Sequence, residues 1–242
     1  MRPAISSEEV IAGISVQLIR KDVKNISIRI LPPDGAVRIT TPRRTTEATV
    51  HRIVTERLGW IRGKQDQVRN APRPPALEVK TGETHYLWGK PYVLDVVEST
   101  SRPKTEFVGE SLRVAVPVDA DTQTRQAVLD RFLRKQLEVV SHELIAIWQG
   151  RMDVSPQVIT VRKMKTRWGT CNTQTGKVTL NLDLVRRDPI FLEYVVIHEL
   201  AHLIERGHNP RFYAVMDQYS PRWRTLRTEL NRNPSAIVHD LV

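Results

Sequence analysis

One cysteine, Cys171, is all the chain contains, so no intramolecular disulfide can form and stability has to come from a packed core. That fits a reducing compartment, and a cytoplasmic location is the expectation. Long apolar runs are missing too. None approaches the roughly 20 residues that a membrane-spanning helix requires, so no membrane partner is expected. The opening MRPAISSEEV lacks the apolar stretch of a secretory signal. There is no glycine-rich phosphate loop, no carboxylate cluster suited to magnesium and no set of zinc-finger cysteines. No internal repeat or low-complexity segment stands out.

What is present is an ordinary globular composition, 40% apolar and 26% charged over 242 residues, enough for one large domain or two small ones. The net charge is +10. A basic surface of this kind attracts nucleotides or nucleic acid, although the cations are scattered and form no block.

The first hundred residues read mostly as strands. Ile26, Ile28 and Ile30 alternate with polar residues, Pro33-Asp34-Gly35 supplies a turn, and Val37 and Ile39 resume the alternation, which is a hairpin pattern. Val50, Ile53, Val54, Leu58 and Ile61 recur at helical spacing, predicting one helix over about 46–68. The proline-rich segment RNAPRPPA (69–76) reads as a linker. Two strand pairs follow, turning at Gly89-Lys90 and Gly109-Glu110. A long amphipathic helix is expected over 122–149, then strands within 158–184, a helix from Pro189 to about Glu205, and another after Asn209-Pro210. Residues from Asn233 read as a tail.

The stretch VVIHELAHLIERGH (195–208) carries the chemistry. Its helix is apolar nearly all round, the composition of a buried element, yet it holds His198, Glu199 and His202. Residues four apart share a helical face, so both imidazoles can aim at one point with Glu199 one position round. Buried ionisable groups are costly unless they are paired or bind a metal. The HExxH spacing is the zinc-hydrolase arrangement, two histidine ligands and a glutamate that takes a proton from water. His208, six residues past His202, supplies a third nitrogen ligand if the chain turns back, and Gly207 is expected to make that turn in a left-handed conformation. One zinc ion is the expected cofactor, with other divalent transition metals compatible with the same donors. Cys171 reads as a packed thiol.

The segments KMKTRWGTCN (163–172), VTLNLDL (178–184) and EYVVIHELAHLIERGHNPRFY (193–213) resemble the YgjP-like metallopeptidase family, which is related to the SprT-like zinc proteases. IRKDVKNISIRILPPDGAVRITTP and TGETHYLWGKPYVL resemble that family's opening and middle segments, so the likeness covers nearly the whole chain. Departures are small: Thr170 and Asn209 stand where the family usually has serine. The resemblance implies an α+β fold. A mainly antiparallel β region with one helix (1–118) would precede a minimal zincin-type helix-and-sheet domain (119–242) built around the HExxH helix. It implies His198, His202 and His208 as metal ligands and Glu199 as the general base of a zinc-dependent peptidase acting on peptides or proteins. It also draws Arg167, Trp168 and Asn181 into consideration as substrate contacts.

Two other readings use the same centre. One is a nucleotide pyrophosphatase, to which Arg206, Arg211, Arg222, Arg224 and Arg227 would lend charge. The other is a SprT-like protease localised on DNA by its basic surface.

Overall fold

The computed structural model describes residues 4–31, 33–70 and 77–232, and the chain divides into two compact units, Met1–Arg73 and Pro74–Val242. The mixed helix-and-sheet architecture is the α+β class expected. The expected boundary after residue 118 is not where the compact units part.

In the first unit, β1 (Ile5–Ile11) and β2 (Ile14–Lys21) form a hairpin, as do β3 (Ser27–Leu31) and β4 (Ala36–Pro42). The first hairpin turns through Ala12 and Gly13, both at positive φ, matching the right-handed twist of the strands it joins. Strands β2 and β4 pair in parallel, giving the order β1-β2-β4-β3. Alternation puts Val16, Leu18, Val37 and Ile39 on one face, where they meet Val50, Val54 and Ile61 from two helices. These are α1 (Glu47–Glu56), capped by Thr46, and α2 (Leu58–Asn70). The single helix expected over 46–68 is thus two, broken at Arg57. Residues 71–76, most of the expected linker, lie outside the described residues, as does the expected tail from Asn233.

The second unit opens with the same connectivity. Hairpins β5 (Thr84–Leu87) to β6 (Lys90–Glu98) and β7 (Lys104–Val108) to β8 (Ser111–Val116) join through a parallel β6/β8 pair, in the order β5-β6-β8-β7. In each unit the sheet is followed by a helix. The chain therefore uses one strand plan twice, although no repeat is visible in the residues. This second sheet packs on α3 (Thr122–Met152), and its Leu94, Leu112, Val114 and Val116 share one core with Leu129, Leu133 and Leu137 of that helix. A cut at 118 would split that core, which is why the boundary falls earlier.

A three-stranded sheet in the order β10-β11-β9 completes the unit with β9 (Val158–Arg162), β10 (Gly169–Asn172) and β11 (Lys177–Asn181). Next come a 3-10 turn (Leu182–Arg186), then α4 (Pro189–Ile204), α5 (Pro210–Tyr219) and α6 (Trp223–Arg232). α4 begins with Asp188 capping the Ile190 N–H at 2.9 Å and Pro189 in its first turn, where the missing N–H costs nothing. Its middle is buried on every side: Leu192, Val195, Val196, Leu200 and Ala201 are solvent-free. Each large aliphatic side chain so buried contributes about 1.5–3 kcal/mol, which holds the helix rigidly in the core. Glu193, polar on this apolar helix, is accounted for by the Trp148 Nε1–H of α3, which donates to it at 3.0 Å.

Candidate metal centre

On α4 the spacing of four brings His198 and His202 together, with ring centroids 5.0 Å apart. The chain then leaves the helix through Glu205, an extended residue (φ −138°, ψ 115°) whose N–H still reaches the Ala201 carbonyl. Gly207 was expected to make this turn in a left-handed conformation, and it does not: it is absent from the positive-φ residues. An extended cap at Glu205 redirects the backbone, so the glycine's special freedom is not used. Asn209 then caps α5, its side-chain oxygen accepting from the Arg211 and Phe212 N–H groups at 3.0 and 3.1 Å. His208, held between these two devices, faces its partners on α4. Its Nε2 lies 3.2 Å from His198 Nε2.

The donor nitrogens of His198, His202 and His208 all lie within 4.8 Å of one another. Nitrogen donors about 2.0–2.1 Å from a common tetrahedral ion stand about 3.3 Å apart, close to the His198–His208 separation. His202 Nδ1 is 3.4 Å from the Glu205 carbonyl oxygen, a contact that suits a proton on Nδ1 and leaves Nε2 as the donor. Burial, then the neighbouring imidazoles, holds His198 well below the ordinary histidine range. Burial likewise lowers His202 and His208. All three rings are thereby kept neutral, the state a cation needs in its ligands. Three converging neutral nitrogens, none of them in an ion pair among the described residues, fit a divalent transition metal better than any role as core polar groups.

Beneath the three rings lies Phe212 of α5, fully buried, with centroid distances of 5.0, 4.7 and 4.7 Å to His198, His202 and His208. Sequence reasoning missed this residue. Its position four residues after His208 was the available signal.

Glu199 is 2% exposed and sits against β10. Burial pushes its carboxyl up to about 8, while the Arg167 guanidinium pulls the other way. Gly169 makes this approach feasible, since a Cβ there would lie 2.5 Å from Glu199 Oε1. This too was missed, because a glycine two strands away in the chain carries no mark of what it faces. Above these residues opens a cleft of about 380 Å³, lined among others by Arg167, Gly169, Cys171, Glu199 and Arg206. Cys171, expected to be a packed thiol, is partly buried and packs against the core at the cleft wall, with its thiol pushed up to about 11 by burial and by the Glu199 charge.

Of the three residues considered as substrate contacts, only Arg167 lines the cleft. Trp168 and Asn181 are fully buried. The Trp168 indole N–H donates to Asn231 Oδ1 at 3.2 Å, and the Asn181 amide donates to the Met164 and Arg167 carbonyls at 3.1 and 2.8 Å. Asn181 therefore staples the 164–167 loop, and neither side chain is open to a ligand.

The family model of the YgjP-like metallopeptidase domain matches residues 24–233. The chain belongs to the YgjP-like metallopeptidase family. Membership makes this YgjP-like protein a metal-dependent peptidase by class, with peptides or proteins as substrates and a divalent metal as cofactor. Among solved structures it is similar to the metallopeptidase zymogen abylysin of Pyrococcus abyssi, with 18% identity, a TM-score of 0.37, and coverage of 40% of this chain and 98% of that one. It is also similar to the zymogen jannalysin of Methanocaldococcus jannaschii, with 18% identity, a TM-score of 0.33, and coverage of 39% and 92% respectively. No curated protein matches the chain. No described helix of the YgjP-like protein is long and apolar enough to cross a membrane.

Proposed function

We propose that this protein is a zinc-dependent peptidase, with one zinc ion held by His198, His202 and His208 and with Glu199 as general base. The observation that carries the reading is the convergence of three neutral imidazoles, two of them with Nε2 atoms 3.2 Å apart, beside a buried carboxylate. A divalent metal, when bound, supplies Lewis acidity that brings the pKa of a water toward about 7, and its charge opposes the upward push on Glu199. The chain's own residues do the rest. A Glu199 carboxylate oxygen accepts the proton of the attacking water as its oxygen bonds to the peptide carbonyl carbon. The same carboxyl passes that proton to the leaving amine nitrogen as the C–N bond breaks. Gly169 holds the β10 backbone close enough to keep that carboxylate in one place. Phe212 and the apolar body of α4 fix the imidazoles and exclude water from behind them.

Among the described residues, the histidine trio is the group of three or more His, Cys, Asp or Glu side chains that could hold a metal. A magnesium-type carboxylate cluster is therefore not part of the described site, and support for phosphoanhydride hydrolysis comes down to cleft charge. Zinc-loaded protein incubated in parallel with unfolded casein and with nucleoside triphosphates separates the two, and hydrolysis of the triphosphates alone would overturn the peptidase reading. Glu199→Gln should keep stoichiometric zinc and lose casein cleavage. Undiminished cleavage in that variant would remove Glu199 from the mechanism. A cytoplasmic location agrees with the single free thiol and is part of the same proposal.

A further inference from the structure

Two segments frame the cleft, 162–174 leading into and through β10, and 206–213 crossing from the α4 terminus into α5. Neither contains an acidic residue. The first carries Arg162, Lys163, Lys165 and Arg167, and the second Arg206 and Arg211. Lys163 is committed to Asp130 at 2.8 Å. Arg167 and Arg206 are exposed, line the cleft, and form no ion pair among the described residues. Among the described residues lining the cleft, the one carboxylate is Glu199, buried at its floor and proposed above as the base. The cleft mouth is thus cationic: Arg167 acts on the Glu199 charge at the floor, and neither arginine is held in an ion pair among the described residues.

We propose that Arg167 and Arg206 determine specificity by engaging a carboxylate of the substrate next to the scissile bond, so that the preferred substrates are acidic peptides. This rests on the peptidase reading. A guanidinium presents a planar fork of donors that matches a carboxylate in bidentate geometry, and it stays charged at any working pH. A basic residue at the same place would meet two unneutralised cations, which costs affinity and slows encounter. Acidic side chains and a free C-terminal carboxylate share this chemistry, so the two sources need separate arms in the test.

The experiment uses fluorescein-labelled peptides with a common apolar centre flanked by Glu, Gln or Lys, each made with a free and with an amidated C-terminus. Binding is read by anisotropy on zinc-loaded Glu199→Gln protein, and cleavage on the wild-type protein. The amidated Glu peptide should bind about ten-fold tighter than its Gln counterpart, equivalent to about 1.4 kcal/mol, with the Lys peptide weakest. In the Arg167→Gln/Arg206→Gln double variant that ratio should fall to about one, and high salt should shrink it in the parent. A ten-fold gain that appears only with the free C-terminus, and that the double variant abolishes, would keep the carboxylate recognition but overturn the assignment to acidic side chains. Equal binding of Glu and Gln peptides, or a preference that survives the double variant, would overturn the proposal. So would displacement of the Glu peptide by a single-stranded oligonucleotide at lower concentration than by unlabelled Glu peptide, because the arginines would then serve phosphate. Acid-selective binding with no peptide cleaved by the wild type would instead count against the peptidase reading and leave the specificity assignment standing.

Discussion

Replacing Gly169 by alanine adds one methyl group directly against the Glu199 carboxyl group. The added Cβ would lie 2.5 Å from Glu199 Oε1, 2.8 Å from Cγ and 2.9 Å from Cδ, all inside van der Waals contact. Gly169 needs no left-handed backbone, so the perturbation is steric alone. Restoring ordinary contact requires the carboxylate or the strand to move by about 1 Å, and displacements of that size at a reacting group cost on the order of 100-fold in rate. Overpacking a full core costs about 1–3 kcal/mol, and at about 2–4 °C per kcal/mol for a chain of this size the melting temperature should drop by several degrees. The three atoms nearest the new methyl group all belong to Glu199 rather than to a histidine, so zinc content should stay stoichiometric. The assay is zinc per chain, melting temperature and kcat on casein for Gly169→Ala, beside Gly150→Ala, a helical glycine of α3 where an added Cβ would meet nothing within 4 Å. Gly150→Ala should keep activity and gain about 0.5–1 kcal/mol from helix propensity. Wild-type kcat in Gly169→Ala would refute the placement of Glu199 against β10.

Asn209→Ala removes the side chain that caps α5 and should cost about 1 kcal/mol in urea unfolding; because the same cap sets the exit from His208, zinc affinity should fall as well, and unchanged affinity would show that His208 is held by other contacts. Acidity should act on the metal-free protein in two opposed ways. Glu199, pushed up to about 8 from 4.5, binds more protons folded than unfolded between those values, so its contribution to stability is present below about 4.5 and is lost as pH rises through 8. The three imidazoles, lowered from 6.5, contribute stability that is present above that value and is lost as pH falls. Glu199→Gln removes only the first effect. The stability of chelated wild type minus that of chelated Glu199→Gln should therefore decline with rising pH by up to about 5 kcal/mol, and parallel unfolding profiles would contradict it.

What could be read in the chain without its fold was whatever depends on near neighbours. The His198/His202 spacing, the Asn209-Pro210 helix start, the Ile28/Val37 alternation and the Gly89 and Gly109 turns all depend on residues a few positions apart, and the structure bears each of them out. Two local expectations failed: Gly207, since an extended Glu205 performs the turn without it, and the single helix over 46–68, which breaks at Arg57. Trp168 and Asn181 stood in a motif-rich stretch and looked like ligand contacts, but burial decided otherwise. A motif marks where a segment matters, and it does not show which of its side chains face the cleft.

Residue order alone determined the family, the α+β class and the set of groups able to bind a metal, because patterning, capping and i,i+4 geometry act within one or two turns of chain. Only the tertiary structure decided that Gly169 lies against Glu199, that Phe212 underlies all three imidazoles, that Arg167 and Arg206 line one cleft, and that β5–β8 share a core with α3. Each of those contacts joins segments tens of residues apart, or separate helices, and its existence depends on strand order and side-chain packing that no local rule encodes.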